Sequence, residues 1–371
     1  MIKARRGDKD TDKTVLYKEE KNMNTKKWKD FLEEGIKIGA YPSYAVAIGR
    51  GDDLLFRSIG GYRALYPTPI SLTEDTLFDM ASLSKLIGTT MATLRLIEKG
   101  RLSLDDRIGD FFDDCHEKEG ITIFDLMTHT SGIPSFFHMW KMDILPSDAV
   151  NTILSYPLSA RRGEKVIYSC MGYILLGKIL EKICGEPLDV IVKNEVLLPL
   201  SMLDTCYCPS KERICVSTEK KVGSDEYICG HVHDENAHFL GGVSGNAGLF
   251  STLDDLIKFA GMLSREGEGF LQKSTFDMAT KDYTGHFSEF SRGLGFQLYG
   301  GNPYPGGTKM SLGSYGHSGF TGTYLYVDRE SKIYCIFLSN RVHFGRDTDL
   351  FYEHKLGFFD MVFTDVKEMK L

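Results

Sequence analysis

Apolar residues recur along this chain with two different periods, and the changes of period mark out its elements. Between Thr25 and Ile38, the residues Trp28, Phe31, Leu32 and Ile36 fall on one face at helical spacing. SYAVAIGR and LLFRSIGGY follow and flank Gly51-Asp52-Asp53, so a helix leading into a β-hairpin is expected. Helical spacing returns at Leu83, Leu86, Ile87, Thr90, Met91, Leu94 and Ile97, and Gly100 supplies a stop. TIFDLMTHTSGIP reads as a short helix broken by Gly132 and Pro134. YSCMGYILLGKILEKICG reads as a long helix that Ser169 caps and Gly185 ends, and a third helix covers Leu188 to Leu198.

From Asp204 to Asn236 periodicity is weak and polar residues are frequent, which predicts a loop-rich excursion with short strands. Order returns at STLDDLIKFAGML, where Thr252 and Asp255 stand three apart as in a capping box with a shortened acid. GLGFQLYG, SYGHSGFTGTYLYVD and KIYCIFLSN then read as antiparallel strands, and an amphipathic helix around Leu350 to Phe363 closes the chain. Strands thus gather at the two ends. The expected fold class is α/β (α+β): one antiparallel β-sheet built from both termini and flanked by helices, with a mostly helical lobe inserted. The expected divisions are a charged tail over 1–24, the sheet lobe over 25–80 and 250–371, and the helical lobe over 81–249. A site is expected in the cleft between the lobes.

Composition narrows the function classes. The 371 residues are 42% hydrophobic and 26% charged, with 44 Lys and Arg against 51 Asp and Glu, a formal net charge of -7. No basic, aromatic-interleaved stretch is present, so no nucleic-acid partner is expected. The first two dozen residues mix charges without an apolar core, unlike a secretory signal, and no later run has the length of a membrane span. A cytoplasmic protein with no membrane partner is therefore expected, and its eight cysteines should be thiols. Cys206, Cys208, Cys215 and Cys229 lie near His231 and His233, but they lack the paired knuckles of a structural zinc site, so no metal is expected.

Two segments carry the spacing Ser-x-x-Lys: Ser82 to Lys85, within FDMASLSK, and Ser217 to Lys220. The second lies in a polar, aperiodic run with nothing to hold its geometry, whereas the first opens the buried helix. Residues three apart on a helix share a face, so the amine of Lys85 can reach the Ser82 hydroxyl. Lys85 serves as a base only if its surroundings lower its pKa. By itself the pair reads equally well as nucleophile and base or as a helix cap and a solvated lysine. Two further polar groups stand where elements meet a cleft: Tyr168-Ser169-Cys170 at the start of the long helix, and Gly316-His317-Ser318-Gly319 opening a late strand.

That set of motifs resembles the serine β-lactamase and penicillin-binding-protein superfamily, most of all the class C β-lactamases and their esterase and D-peptidase relatives. LMTHTSGIP is similar to the family's LLTHTSGLP, YSCMGYILLGKILE to its YSNxGYxLLGxIIE, and GLFSTLDDLIKF to its GLxSTxxDLxKF. VHDENA with GGVSGNAGLF resembles a segment of the hydrolase and esterase branch, and the likeness runs from about residue 25 to 342. The resemblance implies an acylated nucleophile at Ser82, a proton shuttle at Lys85, and a phenol at Tyr168 that assists both acylation and the deacylating water. It implies an oxyanion hole at the N–H groups of Ser82 and Phe320, and places His317, with Ser318 and Gly319, in the position of the family's Lys-Thr-Gly.

There are two departures. Cys170 stands where the family has Asn and cannot supply its paired amide donor and acceptor. His317 in place of Lys offers a substrate carboxylate only a conditional charge. Both favour ester hydrolysis over β-lactam turnover, so a carboxylesterase-like serine hydrolase acting on a small acyl substrate, without cofactor, is expected. A D-amino-acid peptidase or amidase, or a weak β-lactamase, is the alternative within enzymes, and a silent ligand-binding protein the alternative outside them. His129 and Thr130 are expected to brace a turn, Tyr324 and Tyr326 to face the core or a helix, and His233 and Asp234 are open to a substrate-contact role.

Overall fold

The computed structural model describes residues 24–286, 291–301 and 305–369, so the charged tail expected over 1–24 lies outside it except for Asn24. Helix α1 (24–37) leads into the hairpin β1 (Ser43–Arg50) and β2 (Asp53–Ala64), then β3 (Ile70–Ser71). After β4 (Phe78–Asp79) comes α2, wound as a π-helix over Lys85–Thr90 and as a regular helix over Met91–Glu98. Helices α3 (Ile123–Thr128), α4 (Ala149–Ser155), α5 (Cys170–Cys184) and α6 (Leu188–Val192, continued by a π turn Lys193–Leu197) follow. The polar stretch holds β5 (Cys206–Tyr207), β6 (Ser217–Lys220), β7 (Tyr227–Cys229) and α7 (Glu235–Phe239). The chain then forms β8 (Leu249–Ser251), α8 (Leu253–Ser264), α9 (Lys273–Ala279), β9 (Ser291–Arg292), β10 (Gln297–Leu298), β11 (Tyr315–Gly319), β12 (Thr323–Val327), β13 (Ile333–Leu338) and α10 (Asp349–Glu368).

Among the described residues the main sheet has eight strands in the order β3-β2-β1-β13-β12-β11-β10-β9, and every neighbouring pair is antiparallel. The two ends of the chain meet where β1 pairs β13, with Ala47 opposite Ile336. Side-chain alternation then divides the sheet between two cores. Ala45 and Ala47 of β1, Leu325 and Val327 of β12, and Ile336 and Leu338 of β13 face the large core shared with α2, α5 and α8. Val46, Ile48, Tyr324, Tyr326, Cys335 and Phe337 face the opposite way, against Trp28 and Leu32 of α1 and Phe351, Phe358 and Phe359 of α10. Helices thus cover both faces, which is why these strands read as nearly continuous apolar runs. Each buried Phe side chain contributes roughly 1.5–3 kcal/mol.

Local signals set the helix ends. Ser169 Oγ accepts from Gly172 N at 2.9 Å at the start of α5, and Gly185 ends that helix at φ 70. The capping box expected at Thr252 forms only by half. Thr252 Oγ1 accepts from Asp255 N at 3.3 Å, but the Asp255 carboxylate is drawn instead to the Asp204 and Thr205 N–H groups, each at 2.8 Å. A shortened acid competes poorly for its own cap when two loop donors lie closer. A complete box stands at the start of α3, between Thr122 and Asp125.

Candidate active site

Ser82 sits between β4 and α2 on a strained turn. Ala81 adopts φ 44, a conformation that costs a non-glycine residue roughly 1 kcal/mol. Asp79 holds it there, accepting from Ala81 N at 2.8 Å and from His233 N at 2.7 Å. Successive tight-turn bonds from Leu83 N, Ser84 N and Lys85 N to the carbonyls three residues back carry the chain into α2. Lys85 is buried in the first turn, and its Nζ donates to Ser82 Oγ at 3.0 Å, Asn246 O at 2.8 Å and Cys170 Sγ at 3.4 Å. All three ammonium donors are engaged, and the nitrogen lies 5.0 Å from the centre of the Tyr168 ring. Ser84 is structural, its Oγ accepting from Leu249 N at 3.1 Å.

Tyr168 is placed by the residue that ends α3. His129, at φ 60, accepts from Ile167 N through its carbonyl at 2.8 Å and from Ser169 N through Nδ1 at 3.1 Å. Its ring stands 4.6 Å from that of Tyr168 and stacks on Tyr173 at 5.2 Å. Burial, with Arg292 and Lys85 nearby, pushes the His129 pKa well below its ordinary value, so the ring is neutral and free to accept at Nδ1. Thr130 bonds Thr128 at 2.8 Å, and both residues brace the turn as expected. Among the described residues the buried Tyr168 hydroxyl has the Lys85 amine within reach, outside good hydrogen-bond geometry. Water or a ligand in the cavity can complete its hydrogen bonding.

The far wall comes from β11 and β12. Thr321 Oγ1 donates to Asp79 O at 2.7 Å and Thr323 Oγ1 to Met80 O at 3.1 Å, stitching the turn between these strands to the residues just before Ser82. Gly319 allows the approach, since a Cβ there would collide with the Met80 carbonyl. The backbone N–H groups of Ser82 and Phe320 donate to no atom among the described residues, so the two ends of this stitched wall can offer a pair of donors to a developing oxyanion.

A cavity of about 490 Å³ opens at this point. Of the expected residues, Ser82, Tyr168, Ser318, Gly319 and Phe320 line it, whereas Cys170 and His317 do not. His317 is buried, with Nδ1 2.8 Å from Ser318 O. Burial, Arg292 and Lys85 push its pKa well below the ordinary value, so the conditional charge expected of it is absent near neutral pH. The fixed charge comes instead from Arg292 of β9, which lines the cavity with its guanidinium 5.3 Å from the Tyr168 ring centre. Sequence reasoning missed Arg292, and also Gln297 and Lys355, because no motif surrounds them. Burial opposes the charge of Lys85, yet the neighbouring Cys170 sulfur and Tyr168 oxygen support it and the net direction is upward. Burial raises the Cys170 thiol, and Lys85 draws it partly back. The Asn246 side chain, whose Oδ1 accepts from Ser244 Oγ at 2.7 Å, lies beside Cys170.

The remaining candidates have other partners. His233 Nε2 bonds Glu219 at 2.8 Å, and its ring stacks on Phe320 at 5.8 Å; Asp234 caps α7 through Ala237 N at 2.8 Å. Tyr324 and Tyr326 pack against Phe359 of α10, and Tyr324 also lines the cavity. Among the described residues no group of three or more His, Cys, Asp or Glu is placed to hold a metal, and no helix is long and apolar enough to cross a membrane.

The model of the family described as Beta-lactamase matches residues 28–357. The chain belongs to that family. Relatives of this β-lactamase-family chain include an N-acetylmuramyl-L-alanine amidase of Bacillus subtilis, 28% identical over 89% of the chain and 84% of the amidase. A protein of Escherichia coli named "Putative D-alanyl-D-alanine carboxypeptidase" is 29% identical over 84% of the chain and 81% of its own length. Among solved structures, EstCE1, a hydrolase with promiscuous acyltransferase activity, shares the fold at a TM-score of 0.76 and 20% identity, covering 92% of this chain and 99% of EstCE1. An octameric penicillin-binding protein homologue from Pyrococcus abyssi has a TM-score of 0.69 and 25% identity, over 85% and 73% of the two chains. This β-lactamase-family chain is accordingly a hydrolase of the β-lactamase and penicillin-binding-protein superfamily.

Proposed function

We propose that the protein hydrolyses small acyl esters through an acyl-enzyme at Ser82. The observation that carries this reading is the Ser82 hydroxyl, 3.0 Å from the buried Lys85 amine and lining the same cavity as the Tyr168 phenol. In acylation the Ser82 oxygen bonds the ester carbonyl carbon, and its proton passes through the Tyr168 hydroxyl, beside the charged Lys85 ammonium, toward the leaving alcohol. The Ser82 and Phe320 N–H groups hold the oxyanion. Collapse breaks the bond to the leaving alcohol, which takes the proton. Water then repeats the sequence against the acyl-enzyme and restores the serine.

Esters are favoured over amides because Cys170 cannot grip a substrate amide as an asparagine would. The amide reading is supported by the names of the relatives and by the Asn246 amide beside Cys170. Treatment with a fluorophosphonate should place one label on Ser82 and none on Ser82→Ala. Absence of label on the wild-type protein overturns the acyl-enzyme and leaves a ligand-binding role. Rates on a short-chain nitrophenyl ester, a chromogenic cephalosporin and a D-alanyl peptide then separate the substrates, with the ester expected to be fastest. Faster turnover of the peptide replaces the ester reading with the peptidase one.

A further inference from the structure

Part of the cavity lining is built by elements that carry no motif. Arg292 and Gln297 come from β9 and β10, Tyr324 from β12, and Tyr352 and Lys355 from α10. Lys355 is 1% exposed, a rare state for a lysine without a carboxylate on it. Its Nζ donates to Pro305 O and lies 4.5 Å from the centre of the Tyr324 ring and 5.7 Å from that of Phe359. Among the described residues, one acceptor and two aromatic faces leave ammonium donors unmatched. Among the described residues the lining holds two basic side chains, Arg292 and Lys355, and no carboxylate. A third cation, Arg341, lies 4.6 Å from the Phe320 ring centre and 5.0 Å from that of Tyr352, behind two residues of the wall.

The charged and titratable groups around Lys355 are few. On its own helix, Asp360 raises its pKa slightly, but that carboxylate is engaged by Thr308 N and by Thr308 Oγ1 at 2.9 Å. Tyr352 lines the cavity beside it, Tyr324 faces it from β12, and Arg292 shares the lining from β9. A buried ammonium that lines an open cleft and has no carboxylate on it among the described residues is complementary to an anion in that cleft.

We infer that Lys355 is a specificity-determining residue that, with Arg292, selects esters carrying a carboxylate on the half of the molecule that fills this cavity. The inference rests on the acyl-enzyme reading and names its substrate class. Burial lowers the Lys355 pKa to about 7. Its charge is therefore present below that pH and lost above it, while Arg292 stays charged throughout. Preference for the anionic ester should be strongest in mild acid and weaken as pH rises, down to the part Arg292 sustains alone.

Two matched pairs place the carboxylate on either side of the scissile bond: mono-4-nitrophenyl succinate against 4-nitrophenyl butyrate, and 4-acetoxybenzoate against its methyl ester. The quantity read is the ratio of kcat/KM for the anionic over the neutral member, in which pH effects on Ser82 chemistry cancel. In at least one pair the wild-type ratio should exceed about tenfold at pH 6 and fall about fivefold by pH 8.5. Lys355→Met should bring the pH 6 ratio down to the pH 8.5 value, and Lys355→Arg should keep it high at both. Ratios near one, or independent of pH, in both pairs overturn the inference. The wild-type profile decides the matter if either variant fails to fold. Fluorophosphonate labelling of the same samples separates the two failures: normal labelling with flat ratios removes the role of Lys355 alone, and no labelling removes the acyl-enzyme and this inference with it.

Discussion

Two segments spell Ser-x-x-Lys, and the fold puts them in opposite surroundings. Ser82 and Lys85 lie on the first turn into α2, where spacing by three keeps them on one face and Lys85 is sealed from water. Ser217 and Lys220 lie on β6, where the serine is buried and the lysine stands in solvent, paired to Asp225 at 2.7 Å. Lys85 reaches its serine at 3.0 Å, while the Lys220 amine is spent on an exposed ion pair worth little. A four-residue spacing acquires chemical meaning from the element that carries it and from the company the lysine keeps.

The largest expected effect separates the two serines. Ser82→Ala should lower kcat/KM on a nitrophenyl ester by about 10³ or more, and Ser217→Ala should leave it within about twofold. Comparable losses in both would break the comparison. The lysines come next. Lys85→Met should cost about 10² to 10³ and Lys220→Met almost nothing, with thermal unfolding measured to show that both variants are folded. Tyr168→Phe tests the company of Lys85 and should cost about 10² in kcat with KM little changed. Gly319→Ala forces the strand end off the Met80 carbonyl, so a fall of about tenfold in kcat is expected, and unchanged turnover would show that the stitched wall does not set the oxyanion geometry. The smallest effect is a change of preference. Restoring an amide by Cys170→Asn should raise the D-alanyl peptide over ester ratio several-fold, to about fivefold, and a ratio that stays put would show that Asn246 already does that work.

Much of the outline was legible. Helical spacing located α1, α2 and α5, and apolar runs rich in aromatic and β-branched residues between turns located the hairpin and the late strands, because those patterns reflect which surfaces of each element must leave water. Ser82, Lys85 and Tyr168 were nameable because each stands at the start of an element in a segment with family likeness. Other features were not readable. Asp255 looked like a cap partner, yet the Asp204 and Thr205 N–H groups claim it. His317 looked like a switchable cation, yet burial beside Arg292 and Lys85 keeps it neutral.

The sequence by itself determined the main helices and strands, their order, the antiparallel sheet drawn from both ends, and the family of the chemistry. These depend on local periodicity and on short motifs, which survive in one dimension. The tertiary structure alone decided which charges share the cavity. Arg292, Gln297 and Lys355 are separated along the chain and sit in no motif; they meet because β9 and β10 edge the sheet beside which α10 packs. Electrostatic character depends on distance and on exclusion of water, and neither quantity is written in residue order.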